Sequence, residues 1–264
     1  MVTTSRAVVG VIGGSGLYAL LDGGTSHEIH TPYGAPSSPV TVAPVADIEV
    51  AFLARHGVDH RLPPHRVNYR ANAYALRSLG VTNILAPCAV GSLRADVGPG
   101  SLVLPDQLVD WTSGRDQTFH DEFEHGPVHA SFADPYCARV RTAAADAATD
   151  HGWEPRVGAT MVVIDGPRFS TRAESRFFAE QGWLLVNMTG HPEAVLAREL
   201  GMCYSPVAVV TDLDAGVAVG EGVDVATVMA EFARSTDRLR AVLLDAVTRL
   251  PTGPCPDCPP PVEL

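Results

Sequence analysis

Met202-Cys203-Tyr204-Ser205-Pro206-Val207-Ala208-Val209-Val210-Thr211-Asp212-Leu213-Asp214 is an apolar run that ends in two carboxylates one residue apart. The run through Thr211 reads as a buried strand. Residues i and i+2 of an extended segment point to the same side, so Asp212 and Asp214 are expected to face one ligand. Their repulsion should raise the proton affinity of at least one of them, and a carboxyl still protonated near neutrality is what a general acid requires. The plainer alternative is a strand-end aspartate capping the next turn.

Outward from this strand, strand-like and helix-like segments alternate, which is the pattern of an α/β protein. Strands are predicted over 7–12, in two pieces across 40–54 with a break at Asp47, and over 83–90, 101–110, 159–164 and 184–188. Ala71, Tyr74, Ala75 and Leu79 follow the helical period within 66–80. Asp134-Pro135 offers an N-cap and an N1 proline for a helix to about 150. Thr171-Arg172-Ala173-Glu174 has capping-box spacing, Pro192 can start a helix ending near Gly201, and Asp224 can cap a last helix to about 250. The stretch 111–133, rich in His, Asp, Gly and Pro, reads as a long loop of the kind that lines sites or interfaces.

The chain has 264 residues, 46% of them hydrophobic, enough to bury one large core. With no long polar linker before residue 250, one domain over 1–250 is expected, followed by a flexible Pro- and Cys-rich tail, 251–264. No apolar run approaches the roughly 18 residues of a membrane span. Glycines between Gly10 and Gly16 interrupt the apolar start, unlike a signal peptide, so a cytoplasmic location is expected. Nineteen Lys and Arg against 30 Asp and Glu give a formal charge of −11, which opposes nucleic acid and anionic lipid as partners.

Cys88, Cys137 and Cys203 are scattered in apolar or helical contexts and read as small core residues. Cys255 and Cys258 form a CxxC that suits a redox pair or half a zinc site. No second ligand pair stands at suitable spacing, so no metal is expected, and an accessible dithiol on the tail is the default.

After the first strand, Gly13-Gly14-Ser15-Gly16 lets backbone N–H groups approach an anion, to which the Ser15 hydroxyl can add. Gly14 to Ala19 also fits G-x-G-x-x-A, but the parallel strand with an acidic end that a dinucleotide site needs does not follow, and no Gly-Lys-Ser/Thr completes a Walker loop. Leu53-Ala54-Arg55-His56-Gly57, with His60 close behind, offers a guanidinium fork for two phosphate oxygens and an imidazole donor, or else is an exposed basic turn. Cys88-Ala89-Val90-Gly91-Ser92 ends a strand and either presents backbone N–H groups or simply turns.

Read in order, GGSGL (13–17), ARHG (54–57), VNYRAN (67–72), GSL (91–93), DGPRFSTRAES (165–175), NMTGHPEAVLARELG (187–201) and TDLD (211–214) resemble the 5′-methylthioadenosine phosphorylases, a family of the trimeric purine nucleoside phosphorylases. The resemblance covers residues 7 to about 250. It implies an α/β, single-domain nucleoside-phosphorylase-like fold, a central mixed β-sheet flanked by helices. In the implied reaction phosphate attacks the anomeric carbon while the purine leaves, without metal or organic cofactor.

By the same resemblance Ser15, Arg55, His56, the Ala89 backbone and the Thr189 hydroxyl hold phosphate, with His60 an additional contact. Cys88 stands where the family more often has Thr or Asn, which puts a side-chain contact there in doubt. Phe169 lies against the base and Met188 beside the ribose, positions that would otherwise be read as core. Asp212 donates near N7 of the purine and Asp214 accepts from a 6-amino group, favouring adenine, although a protonated Asp also accommodates a 6-oxo group. Val225 faces a methylthio group where enzymes using a free 5′-hydroxyl tend to carry His; such a wall rejects a hydroxyl by only roughly 10²-fold. His129 reaches a neighbouring subunit's site in a homotrimer.

Gly190-His191 departs from the adenosine-type pattern, and relatives acting on methylthioinosine also carry Gly after the Thr. His191 either touches the ribose end or starts the next helix beside Pro192 and Glu193. The expectation is a cytoplasmic phosphorylase that releases adenine and 5-methylthioribose 1-phosphate from 5′-methylthioadenosine. The alternatives are a phosphorylase for 5′-hydroxyl or 6-oxopurine nucleosides and a nucleoside-binding regulatory protein.

Overall fold

The expected alternation is present in the computed structural model, which describes residues 9–14, 17, 20–21, 23–123, 126–217, 222–251, 255–258 and 260. In chain order the elements are β1 (Val9–Gly13), β2 (Thr25–His27), β3 (Val40–Val45), β4 (Ile48–Ala54), α1 (Tyr69–Ser78), β5 (Asn83–Ser92), β6 (Leu102–Leu104), β7 (Gln107–Trp111), α2 (Ala138–Asp150), β8 (Arg156–Val157), β9 (Thr160–Ile164), α3 (Arg172–Glu180), β10 (Leu185–Asn187), α4 (Gly190–Glu199), β11 (Cys203–Leu213) and α5 (Val225–Arg249). They build one mixed sheet in the order β2-β3-β4-β1-β5-β10-β9-β7, with β11 also on β5 and β6 and β8 continuing beyond β11.

β5 is the hub. Its start pairs in parallel with β1, its end pairs antiparallel with β10, and β11 follows it from Cys203↔Asn83 to Leu213↔Ser92. Along β11, Tyr204, Ala208 and Val210 enter one core cluster with Leu76 of α1 and Leu196 of α4, while Cys203, Val207 and Val209 enter a second with Val140 of α2 and Leu243 of α5. Both faces of the strand are covered by helices. That is why its sequence is continuously apolar instead of alternating with polar residues.

Local signals set most boundaries. Asn68 caps α1 by accepting from the Ala71 N–H, Thr171 and Glu174 complete the capping box of α3, and Asp224 accepts from the Thr227 N–H at the start of α5. Two expectations are corrected. The single strand over 101–110 is two, β6 and β7, separated at Pro105, which has no N–H for a ladder; β6 joins β11 and β8, whereas β7 joins β9. Asp134-Pro135 does not start α2, whose N-cap is Cys137. The Asp134 carbonyl instead accepts from Arg198, and the Cys137 N–H donates to the Tyr204 carbonyl, so tertiary bonds hold this stretch outside the helix.

Candidate active site

The C-terminal ends of β1, β4, β9 and β11, together with the last residues of β5 and the turn after β10, surround one cavity of about 310 Å³. Ligands of open α/β sheets bind at such strand ends. Arg55, His56, Ala89, Phe169, Met188, Thr189, Asp212, Asp214 and Val225 all line it, as do His60 and Cys88. Ser15 lies outside the described residues; its neighbour Gly14 lines the cavity. His129 does not line it. Its exposed ring packs edge-on against Phe123 in the long loop.

One end of the cavity gathers the residues that the sequence nominated for an anion, Arg55, His56, Ala89 and Thr189. Arg55, directly after β4, is buried, and its fork closes on Glu193 of α4: Nε to Oε1 at 2.5 Å and Nη2 to Oε2 at 3.0 Å. Further bonds run to the carbonyls of Ile12 and Pro87. A guanidinium has five N–H groups, so one, on Nη1, is left for a ligand among the described residues. The expected two-oxygen fork is thereby corrected. Burial opposes the charge of Arg55, but the Glu193 carboxylate more than offsets this and holds its proton affinity above normal.

His56 donates from Nδ1 to the Leu62 carbonyl at 2.8 Å. Burial, and then the charge of Arg55, push it down to about 4. The ring is therefore neutral at pH 7 with a lone pair on Nε2, so it can accept a hydrogen bond from a ligand O–H but cannot donate one from that nitrogen. His60 stacks on it with ring centroids 4.4 Å apart. Thr189 gives its N–H to Asn187 Oδ1 at 2.8 Å, while Asn187 Nδ2 reaches the Ala89 carbonyl at 3.3 Å. One amide side chain thus ties the two predicted anion-binding positions together. Burial pushes the Cys88 thiol up to about 12, which leaves it protonated and without a nucleophile's role at neutral pH.

The other end is acidic and is built by a bulge. β11 follows β5 residue for residue until Val210↔Val90, then skips Thr211 so that Asp212 lies opposite Gly91. Bulges of this kind re-aim side chains next to sites. Both carboxylates lie over Gly91: a Cβ there would sit 3.1 Å from Asp212 Oδ1 and 3.3 Å from Asp214 Oδ1. Asp212 is pushed up to about 6, by burial first, with the Asp214 charge adding to it and the Thr211 hydroxyl, donating at 2.9 Å, opposing it. Mutual repulsion is thus the smaller part of the effect that the sequence suggested. Burial also raises Asp214, against the Ser175 hydroxyl. Its Oδ2 is buried and has no hydrogen-bond partner among the described residues.

Between these ends the walls are apolar: Phe169, Met188, Ile164 and Val186, with Val225, Val228, Met229 and Phe232 as one stripe of α5. The stripe beyond Val225 was missed, although its spacing of three and four residues is the helical one. Glu193 was read only as a helix-start residue. Arg115 was also missed. From the long loop it donates to the carbonyls of Met188 and His191 at 3.0 and 2.5 Å and of Asp165 at 2.8 Å, fixing the turn that carries Met188.

His191 turns away from the cavity, with Nε2 at 2.9 Å from Gln117 Oε1 and 3.2 Å from Asp110 Oδ2. A Cβ on Gly190 would come within 2.8 Å of Met161 Cε. Neither Gly190 nor His191 lines the cavity among the described residues.

The chain belongs to the phosphorylase superfamily, whose family model matches residues 8–248. Over 265 residues it is 53% identical to a purine nucleoside phosphorylase of Streptomyces coelicolor, covering 98% of this chain and 95% of that protein. It is 58% identical over 243 residues to an S-methyl-5′-thioadenosine phosphorylase of Mycolicibacterium smegmatis, covering 91% of this chain and 90% of that one. A solved methylthioadenosine phosphorylase from Schistosoma mansoni in complex with adenine superposes with a TM-score of 0.87 at 39% identity, covering 92% and 91% of the two chains.

Proposed function

We propose that the chain catalyses phosphorolysis of 5′-methylthioadenosine, giving adenine and 5-methylthioribose 1-phosphate. A phosphate oxygen attacks C1′ as the C1′–N9 bond breaks, and its electron pair leaves with the purine. Arg55, His56, the Ala89 backbone and Thr189, with Ser15, hold phosphate; Asp212 delivers its proton to N7 of the departing base; the Asp214 carboxylate accepts from the 6-amino group; Phe169 and Met188 flank base and ribose; and Val225 meets the methylthio group. The observation that carries this reading is a pair of carboxylates over Gly91 that shares one largely apolar cavity with Arg55 and His56. No metal or organic cofactor enters the scheme. His129 supplies a contact in a neighbouring subunit of a homotrimer, and the protein works in the cytoplasm, in methylthio and purine salvage.

Phosphorus NMR of a reaction with 5′-methylthioadenosine tests the reaction class: a new sugar 1-phosphate resonance growing one-for-one with adenine is expected. Adenine release without that resonance means hydrolysis, and no release means a binding protein. A second reading, a purine nucleoside phosphorylase using a free 5′-hydroxyl, is favoured by the name of the Streptomyces coelicolor relative. It predicts faster turnover of adenosine or inosine than of the methylthio substrate.

A further inference from the structure

The sequence offered Cys255 and Cys258 as half a ligand set, and the fold supplies the other half. Cys137 ends the long loop as the N-cap of α2, Cys203 is the first residue of β11, and the chain after α5 returns so that Cys255 and Cys258 pack against the same core cluster as both. The four Sγ atoms all lie within 4.8 Å of one another. No disulfide joins them; the Sγ atoms of Cys137 and Cys255 are 3.8 Å apart. A disulfide needs about 2 Å, whereas thiolates about 2.3 Å from a tetrahedral zinc stand about 3.8 Å from each other. We propose that Cys137, Cys203, Cys255 and Cys258 form a structural Zn²⁺ site that fastens the C-terminal segment to α2 and β11.

The ligand set is four sulfurs, which selects a soft tetrahedral metal over magnesium or calcium. Four thiolates around Zn²⁺ carry a net charge of −2, and the surroundings offset it. Arg139 Nη2 lies 3.7 Å from Cys203 Sγ and is held by Asn83 Oδ1 at 2.9 Å, and the positive end of α2 begins at Cys137. A polar cavity of about 220 Å³ lined by Cys137, Cys258 and Asp257 gives an entry path. The site is separate from the nucleoside cavity: Cys203 is nine residues before Asp212 on β11, roughly 30 Å in an extended strand. Zinc here would stabilise the fold, since the ligands come from three distant parts of the chain and are not together when it is unfolded.

The test uses the full chain, reduced, loaded with Zn²⁺ and dialysed against metal-free buffer. Plasma mass spectrometry should find about one zinc per chain, and Co²⁺ in its place should give the thiolate-to-metal charge-transfer and intense visible bands of a tetrahedral site. The double variant Cys255→Ser/Cys258→Ser, which leaves the buried Cys137 and Cys203 in the core, should bind zinc at least tenfold more weakly. It should also lose the melting temperature's sensitivity to a chelator while keeping phosphorolysis. No retained metal in the reduced wild-type chain, or zinc binding unchanged in the double variant, would overturn the assignment. So would peptide mapping that finds two disulfides in the folded, active protein.

Discussion

Arg55 and Glu193 form a two-point ion pair sealed inside the protein, each side chain 2% exposed. Removing one member of such a pair leaves an uncompensated buried charge, which costs about 3–5 kcal/mol. Glu193→Ala should lose that much stability by chemical denaturation. Glu193→Gln keeps an acceptor for one guanidinium N–H and should cost less, but it frees the fork and should change KM for phosphate more than KM for nucleoside. A shift below about 1 kcal/mol in the alanine variant would mean the pair is far more solvated than its burial indicates.

The proton on Asp212 sets a pH limb. A general acid must be protonated, and its carboxyl is pushed up to about 6, so kcat/KM should fall as pH rises through that value. Asp212→Asn should remove the limb and lower kcat by about 10²–10⁴-fold. The sign for stability is opposite to that of an ordinary salt-bridged aspartate. Because the folded protein holds the proton more tightly than the unfolded chain does, stability falls between about pH 4 and 6 and stays lower above that. Asp212→Asn should therefore be more stable than wild type at pH 7, by about 3 kcal/mol, and equal to it at pH 3.

Gly91 is the floor beneath both carboxylates. Gly91→Ala would place a methyl 3.1 Å from Asp212 Oδ1, and displacements of about 1 Å near reacting groups cost about 10²-fold. A drop in kcat of at least tenfold with little change in melting temperature is expected. Unchanged kcat would show that the positions of Asp212 and Asp214 do not matter to the reaction.

Val225 begins the apolar stripe of α5. Val225→His should raise the kcat/KM of adenosine relative to 5′-methylthioadenosine by about tenfold or more, within the roughly 10²-fold span of such discrimination. His191→Ala should leave that ratio unchanged, because the ring bonds to Gln117 and Asp110 outside the cavity.

What the sequence disclosed and what it withheld follow from the range of the interactions. β11 and its aspartates were legible because a run buried on both faces must be apolar, so charges at its end stand out. The caps at Thr171 and Asp224 were legible because they act within four residues. Contacts between distant segments were not. Arg55 looked like a free fork because Glu193, 138 residues away, enters only through the packing of α4. Thr211's bulge depends on the β5 register, and Arg115's anchoring of the Met188 turn depends on how a loop without repeating structure folds back. The cysteines show the same limit: the CxxC was visible, but Cys137 and Cys203 gave no local sign of meeting it.

The central claim is that Asp212, Asp214 and Val225 together select a 6-amino purine with an apolar 5′ group and that phosphate is the acceptor. The most direct measurement is kcat/KM for base release from 5′-methylthioadenosine, adenosine, methylthioinosine and inosine, each with and without phosphate. The account predicts that 5′-methylthioadenosine is fastest, that adenosine follows, that both 6-oxo substrates trail, and that every rate collapses without phosphate. Fastest turnover of methylthioinosine or inosine would contradict the roles given to Asp212 and Asp214. Base release indifferent to phosphate would contradict the anion subsite at Arg55, His56 and Thr189.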